Sequence, residues 1–174
     1  MRRILDIFLL IFFVFMVGCA AHPVTGKKEI RLLSTSQEVA LGKETAKQVE
    51  KEFGVYRDPE LHKYINEVGQ KLADVSERKE ITYYFTVLDT PMVNAFAAPG
   101  GFIFVTRGIL KELDDEAELA GVMAHEIGHV VYRHGAKQFE KVFGYQAILL
   151  IGEILTKRDL SQLSQYTDFF VSLM

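Results

Sequence analysis

The pattern of apolar and polar positions predicts two helices in the first part of the domain. Residues 35–38, TSQE, form a capping box that opens a helix toward Phe53, where Gly54 ends it. Asp58 and Pro59 open a second helix, as an N-cap followed by proline at the first helical position. The apolar residues of this helix are spaced for one buried face: Leu61, Tyr64, Ile65, Val68, Leu72 and Val75.

Aromatic and β-branched residues predict strands in the middle of the chain. Residues 81–88, ITYYFTVL, are typical of a strand. Residues 93–98, VNAFAA, and 102–106, FIFVT, flank the tripeptide PGG at 99–101, which predicts a hairpin or a tight loop. An acidic cluster then opens a helix that we expect over roughly 115–133. The predicted order is therefore helix, helix, strand, short strands, helix.

A second apolar run lies late in the chain, at residues 143–155, FGYQAILLIGEIL. It is only thirteen residues long, and Glu153 interrupts it. These features favour a buried or interfacial helix over a membrane span, which needs about 20 apolar residues.

The first 19 residues have the pattern of a bacterial lipoprotein leader. Arg2 and Arg3 precede an apolar run from Ile7 to Val17, which suits the core of a signal peptide and is too short for an ordinary span. Residues 16–19, MVGC, resemble a lipobox, which implies cleavage before Cys19 and lipidation of its thiol. A plain signal peptide or a short anchor is the alternative.

This leader divides the chain into three predicted parts. Residues 1–18 are a signal peptide of the lipoprotein type, residues 19–33 are a linker, and residues 34–174 form one domain. Ala20 follows the cysteine, and a residue other than Asp there favours the outer membrane in Gram-negative lipoproteins. We therefore expect a lipid-anchored protein of the cell envelope that faces the periplasm.

Composition narrows the functional classes. Hydrophobic residues make up 49 % of the chain and charged residues 25 %, which is typical of a globular domain. The net charge is −3, and Lys and Arg are scattered among Asp and Glu, so the sequence has no basic block of the kind that binds nucleic acid. The single cysteine excludes an internal disulfide bond.

The candidate chemistry lies in residues 122–134, VMAHEIGHVVYRH. His125 and His129 are four residues apart, so they project from one helix face and can bind one zinc ion. Glu126 lies about 100° round the helix from His125, too far to share the metal comfortably. It is placed to hold a water bound to the metal and to act as general base in peptide hydrolysis. The pattern predicts a metallopeptidase centre with one zinc ion.

Surface histidines or hydrogen-bonded core groups are the alternative to a metal site. The neighbouring apolar residues predict an almost wholly buried helix, where unpaired imidazoles and a carboxylate would be unfavourable. Gly128 weakens a helix by about 1 kcal/mol relative to alanine, which predicts that something packs closely there. His134 lies about 140° from His129 on a continuous helix. We expect it to hydrogen-bond near the helix end or to pack behind the ligands.

Three longer segments together resemble a known family. They are residues 32–42, LLSTSQEVALG, residues 93–110, VNAFAAPGGFIFVTRGIL, and residues 115–137, DEAELAGVMAHEIGHVVYRHGAK. They resemble the HtpX and CAAX-prenyl-protease family of zinc metallopeptidases, especially its bacterial periplasmic lipoproteins. The resemblance implies an α+β, zincin-like metallopeptidase domain, mainly helical, with a small mixed sheet beside the HExxH helix. It implies His125 and His129 as zinc ligands and Glu126 as the catalytic residue.

The resemblance also implies where substrate binds. The strand over 102–106 would edge the cleft and pair with the main chain of the substrate, so Phe102, Ile103 and Phe104 are candidate substrate-binding residues. Asn94 and the following segment to Ala98 would line the same cleft. A turn or strand-end residue is an equal alternative for Asn94.

The third zinc ligand is the point at which the sequence departs from this family. There the ligand is a glutamate on a later helix, in a pattern that this chain lacks. The candidates after His129 are Glu140, Glu153, Asp159 and Asp168, and Glu153 has the spacing nearest to that of thermolysin-like enzymes. The other expectation is that the chain stops before the third ligand, so that the domain is incomplete at its C-terminus.

Three functional hypotheses follow. The first is a zinc endopeptidase of the cell envelope that hydrolyses misfolded or unassembled envelope proteins, a role that the resemblance implies. The second is a non-catalytic, chaperone-like lipoprotein that binds extended polypeptide and has an incomplete metal site. The third is an unstable fragment with exposed apolar surface. The expected partners are a polypeptide substrate and, through the lipid anchor, a membrane.

Overall fold

A computed structural model describes residues 19–21 and 28–156 of the chain. The chain divides between Ala136 and Lys137 into two compact units. The first unit contains the candidate site. It begins with a two-stranded antiparallel ladder of β1, Cys19–Ala21, and β2, Lys28–Ile30, within the segment expected to be a linker.

Two helices follow, and both have the caps that their sequences allow. Helix α1 covers Thr35–Phe53, and Ser34 is its N-cap, in a capping box with Gln37. The capping box therefore begins one residue before the predicted TSQE. Because Gln37 supplies the reciprocal hydrogen bond, the next acidic residue, Glu38, is left for the protein interior. Helix α2 covers Pro59–Asp74 and is capped by Asp58, as predicted.

A three-stranded mixed sheet follows the helices. Its strands are β3, Tyr84–Leu88, β4, Ala95–Ala98, and β5, Phe102–Thr106. The spatial order is β3-β5-β4, with β5 parallel to β3 and antiparallel to β4. The predicted hairpin between the two short strands is confirmed, and it turns through a 3₁₀ segment at 99–101.

Three further helices complete the described chain. Helix α3, Arg107–Glu112, is short and was not predicted. Its N-cap Thr106 accepts a hydrogen bond from the main chain of Ile109 through its hydroxyl. Helix α4, Glu116–Val131, carries the two candidate ligands, and α5 covers His134–Thr156. Within the described residues, no helix is long and apolar enough to cross a membrane.

The main core of the first unit lies where α2 and α4 pack with the sheet. The β-branched and aromatic residues of β3 and β5 contribute one side of this core, because alternate strand residues share a face. Ile65, Met123, Val87, Ile103 and Val105 are completely buried in it. The result is the predicted α+β domain, mainly helical, with a small mixed sheet beside α4. This packing fixes the face of α4 that is turned away from the core, and that face carries the histidines.

Candidate metal centre and cleft

Helix α4 brings two imidazole nitrogens to the spacing of zinc ligands. The Nε2 atoms of His125 and His129 are 3.2 Å apart. Two nitrogens that each bind zinc at 2.0–2.1 Å in a tetrahedral arrangement lie about 3.3 Å apart. Donor atoms of His125, Glu126 and His129 all lie within 4.8 Å of one another, the one such cluster among the described residues. The two histidines therefore fit a zinc ion, and the Glu126 carboxylate lies beside them.

The burial of α4 differs from the expectation. Met123, Ile127 and Val130 are buried, but His125 is exposed and His129 is half-buried. The expectation of an almost wholly buried helix was wrong, because only one face of α4 packs on the core. The expected close packing at Gly128 was also wrong, since a Cβ built there meets nothing within 4 Å.

Glu126 is the buried member of the cluster and is only 9 % exposed. Burial raises the pKa of its carboxyl above the ordinary value, and three favourable contacts oppose that change. They are the nearby imidazoles of His129 and His125 and a hydrogen bond from the main chain of Ala97 on β4. Glu126 is thus positioned between the helix and the neighbouring strand, where a carboxylate can exchange a proton with a group in the cleft.

His134 contacts one of the candidate ligands. Its Nδ1 atom is 2.9 Å from Nδ1 of His129, so the two rings share a hydrogen bond. The prediction that His134 lies about 140° from His129 holds only if one continuous helix carries both residues. Helix α4 instead ends at Val131, and α5 begins at His134 after Arg133, whose φ of 58° is in the left-handed region. The break turns the chain back toward His129.

A cleft of about 410 Å³ opens beside the cluster. It runs between α4 and the start of β4, with α3 at one side. Its walls are largely apolar, and His125 and Glu126 lie along them. The other lining residues are Val93, Asn94, Ala95, Ile109, Gly121 and Val122. Asn94 and Ala95 were named from the sequence, whereas the other four have no polar signal and come from separate parts of the chain.

The prediction that residues 102–106 form an edge strand was wrong. Strand β5 is the central strand and pairs on both sides, so its main-chain groups are already used. Ile103 and Phe104 are 0 % and 1 % exposed, and the ring of Phe102 stacks on that of Tyr84. These contacts leave the main chain of Phe102, Ile103 and Phe104 unable to pair with a substrate.

The edge strand beside the cleft is β4. Thr106 donates its main-chain N–H to the carbonyl of Asn94, and Phe96 is the partner of Phe104. Antiparallel pairing alternates, so the main-chain groups of Ala95 and Ala97 point away from β5. The hydrogen bond between Ala97 and Glu126 agrees with this direction. Within the described residues, β4 is therefore an edge strand; Ala97 on its outer side bonds Glu126, and Ala95 lines the cleft.

Asn94 combines the two roles that the sequence left open. Its main chain closes the ladder, because its N–H also donates to the Thr106 hydroxyl at 3.2 Å. Its exposed side chain lines the cleft.

The remaining sequence candidates lie outside this cluster or outside the described residues. Cys19 forms part of β1, and its lipidation stays a prediction. Glu140 and Glu153 are on the α5 helix in the second unit. Asp159 and Asp168 lie outside the described residues. The third metal ligand also stays a prediction.

Comparison with known proteins identifies the family of the chain. The sequence pattern of Peptidase family M48 matches residues 59–173. The chain is 34 % identical over 119 residues to the beta-barrel assembly-enhancing protease of Yersinia pestis, covering 68 % of this chain and 24 % of that protein. It is 33 % identical over 118 residues to the protein of the same name from Escherichia coli (strain K12), with the same coverage of 68 % and 24 %.

A mitochondrial relative is similar over the same extent. The chain is 32 % identical over 119 residues to the mitochondrial metalloendopeptidase OMA1 of Schizosaccharomyces pombe, covering 67 % of this chain and 35 % of that protein. The chain belongs to Peptidase family M48, which confirms the family resemblance. It spans about a quarter to a third of the length of these curated relatives.

Proposed function

We propose that this chain is a zinc-dependent endopeptidase of the bacterial cell envelope. His125 and His129 hold the metal, and Glu126 is the catalytic acid-base residue. The 3.2 Å separation of the two Nε2 atoms, beside a cleft that Glu126 also lines, carries the proposal. It is supported by membership of a peptidase family and by relatives that are named proteases.

The chain's own residues divide the work of peptide hydrolysis. Zinc, when bound, acts as a Lewis acid and makes water a nucleophile at neutral pH. Glu126 accepts a proton from the attacking water and delivers it to the amine of the departing chain. The hydrogen bond from Ala97 holds the Glu126 carboxylate between the helix and the edge strand. The open edge of β4 then pairs with the substrate main chain beside that carboxylate.

The proposed substrates are misfolded or unassembled envelope proteins. Main-chain pairing at an edge strand needs an extended segment, and such segments are exposed in unfolded polypeptides. The relatives named beta-barrel assembly-enhancing proteases support an envelope substrate. The same reasoning favours cleavage of exposed segments over cleavage of folded domains.

Zinc content and Glu126-dependent cleavage test the proposal together. We expect one zinc ion per chain and hydrolysis of an unfolded reporter polypeptide. His125→Ala should lose the zinc, whereas Glu126→Gln should keep the zinc and abolish the hydrolysis. Glu116→Gln is the matched control, because Glu116 lies on the same helix and contacts Tyr64 instead of the cluster. Unchanged hydrolysis by Glu126→Gln would refute the assigned role.

A peptide-binding module is the second candidate function. It is favoured by one observation: among the described residues, the cluster contains two imidazoles and Glu126 but no further ligand. A chain with little zinc that still binds an unfolded polypeptide would support this candidate. A zinc ratio near one would favour the enzyme, and Glu153→Gln would then be the first variant to test for the third ligand.

The proposed location is the periplasmic side of a membrane, through lipid on Cys19. The lipobox-like residues 16–19 and Ala20 support an outer-membrane lipoprotein. Cys19→Ser should release the protein from the membrane fraction of bacteria that express it. Continued membrane attachment of this variant would contradict lipid anchoring at this cysteine.

A further inference from the structure

We propose that His134 is a positioning residue for the metal site, which fixes the ring of His129 and selects its tautomer. This inference rests on the proposed zinc-binding role of His129. The motif leaves His134 without a role, because it stands five residues after His129 and a continuous helix would carry it away from the ligand face. The structure brings the two rings together instead.

The hydrogen bond uses the nitrogen that the metal does not need. Nε2 of His129 faces Nε2 of His125 at 3.2 Å, and Nδ1 of His129 lies 2.9 Å from Nδ1 of His134. A nitrogen that binds a metal must present its lone pair, so the proton of neutral His129 belongs on Nδ1. His129 then donates from Nδ1, and His134 accepts with its own proton on Nε2. This arrangement keeps the lone pair of His129 Nε2 directed toward His125.

The backbone conformation between helices α4 and α5 determines the position of His134. Arg133 has a φ of 58°, a conformation that is unusual for a residue other than glycine. Its guanidinium is 2 % exposed, and Nε donates to the Glu38 carboxylate at 2.8 Å. Another nitrogen of the same group donates to the carbonyl of Leu33. Strained backbone persists only where surrounding contacts hold it, and such strain clusters at functional sites.

Ring contacts restrict His134 further. The ring centroids of His129 and His134 are 4.8 Å apart at an interplanar angle of 78°, so one ring meets the other edge-on. The ring of Tyr132 is nearly parallel to that of His134, at 5.9 Å. His134 is therefore oriented by an aromatic neighbour on one side and by its hydrogen bond on another.

Two substitutions separate the hydrogen bond from the shape of the ring. His134→Phe keeps a flat ring but removes the acceptor. His134→Asn keeps an acceptor at the position of Nδ1. Both should fold, because His134 is exposed. His62→Phe is the matched control, since His62 lies on helix α2 and its ring hydrogen-bonds the main-chain carbonyl of Tyr56 in the connection before that helix.

Zinc affinity of the 174-residue chain, measured by competition with a chelator, is the first readout. His134→Phe should weaken zinc binding about 10- to 100-fold, the usual effect of removing a partner of a ligating histidine. His134→Asn should retain most of the affinity, and His62→Phe all of it. Equal affinity of the Phe variant and the unmodified chain would overturn the proposal.

The tautomer of His129 without metal is the second readout. Nitrogen NMR of the neutral ring should show the proton on Nδ1 in the unmodified chain and in His134→Asn. His134→Phe should shift the population toward the Nε2 tautomer. No shift would overturn the positioning role. A chain that binds no zinc would overturn the proposed function alone, because this readout still decides the role of His134.

Discussion

Glu38 and Arg78 form a two-point ion pair in the interior, with nitrogen–oxygen distances of 2.7 and 2.9 Å and both side chains 1 % exposed. The same carboxylate accepts from Arg133 and from the main chain of Gly100. Arg78 also donates to the carbonyl of Val130 near the end of α4. One buried carboxylate thus connects the first helix, the hairpin turn and the end of the helix that carries the histidines.

Removing this carboxylate should destabilise the first unit strongly. Glu38→Gln removes the negative charge that both buried guanidinium groups contact, so the free energy of unfolding should fall by about 3–5 kcal/mol. Denaturant titration followed by circular dichroism measures the change. Glu44→Gln is the control, because Glu44 pairs with Lys47 at 3.0 Å on the exposed surface and should change stability by less than about 1 kcal/mol. Equal effects of the two substitutions would contradict the role assigned to Glu38.

The same carboxylate should make stability depend on acid pH. Burial by itself raises the pKa of Glu38, but hydrogen bonds from Arg78 and Arg133 and their charges outweigh it and hold the pKa below its ordinary value of 4.5. The charged Glu38 carboxylate therefore makes its full contribution to the free energy of unfolding above pH 4.5. That contribution is lost as the pH falls toward the folded-state pKa, by up to about 1.4 kcal/mol per pH unit. The stability difference between the unmodified chain and Glu38→Gln should shrink below pH 4.5. A constant difference would contradict this pKa.

Gly121 should set the depth of the cleft. It lies in the wall of the cleft one turn before His125, and a Cβ built on it meets nothing within 4 Å. Gly121→Leu should fill part of the 410 Å³ and lower kcat/KM about tenfold or more for peptides whose apolar side chain enters there. Zinc content should not change. Gly121→Ala, which adds one methyl group, should keep most of the activity, and an unimpaired Leu variant would argue against binding in this cleft.

Strand β4 should accept the main chain of the substrate. Ala95→Pro removes an N–H that points away from β5, so it should weaken binding of an extended peptide to the inactive Glu126→Gln chain while leaving the fold intact. Phe96→Pro removes an N–H that pairs with Phe104, so it should lower the melting temperature instead. Fluorescence anisotropy of a labelled peptide and thermal unfolding measure the two effects. Undiminished binding to Ala95→Pro would exclude pairing at this edge.

The sequence correctly predicted those features whose geometry depends only on residues that are close together in the chain. Asp58 and Pro59 open α2 because cap chemistry acts within one turn. The hairpin around residues 99–101 was predicted for the same reason, since two glycines with positive φ make its turn. The four-residue spacing of His125 and His129 is also local, and it placed both rings on one helix face.

Signals that depend on distant pairing were missed. Position within a sheet is decided by which strands pair, and residues 102–106 look like an edge strand and a central strand equally well. Glu38 was interpreted as part of a capping box, because nothing near it in sequence shows that Arg78 and Arg133 meet it in the interior. The walls of the cleft are apolar and come from three elements, so no motif marks them.

The sequence by itself determined the family, the α+β fold class and the pair of histidines, because these depend on residue types at fixed spacing. The tertiary structure alone decided which strands lie at the edges of the sheet and which residues surround the cluster. His134 shows the reason: helical geometry places it 140° from His129, and only the left-handed turn at Arg133, anchored by Glu38 from another helix, brings the two rings into contact.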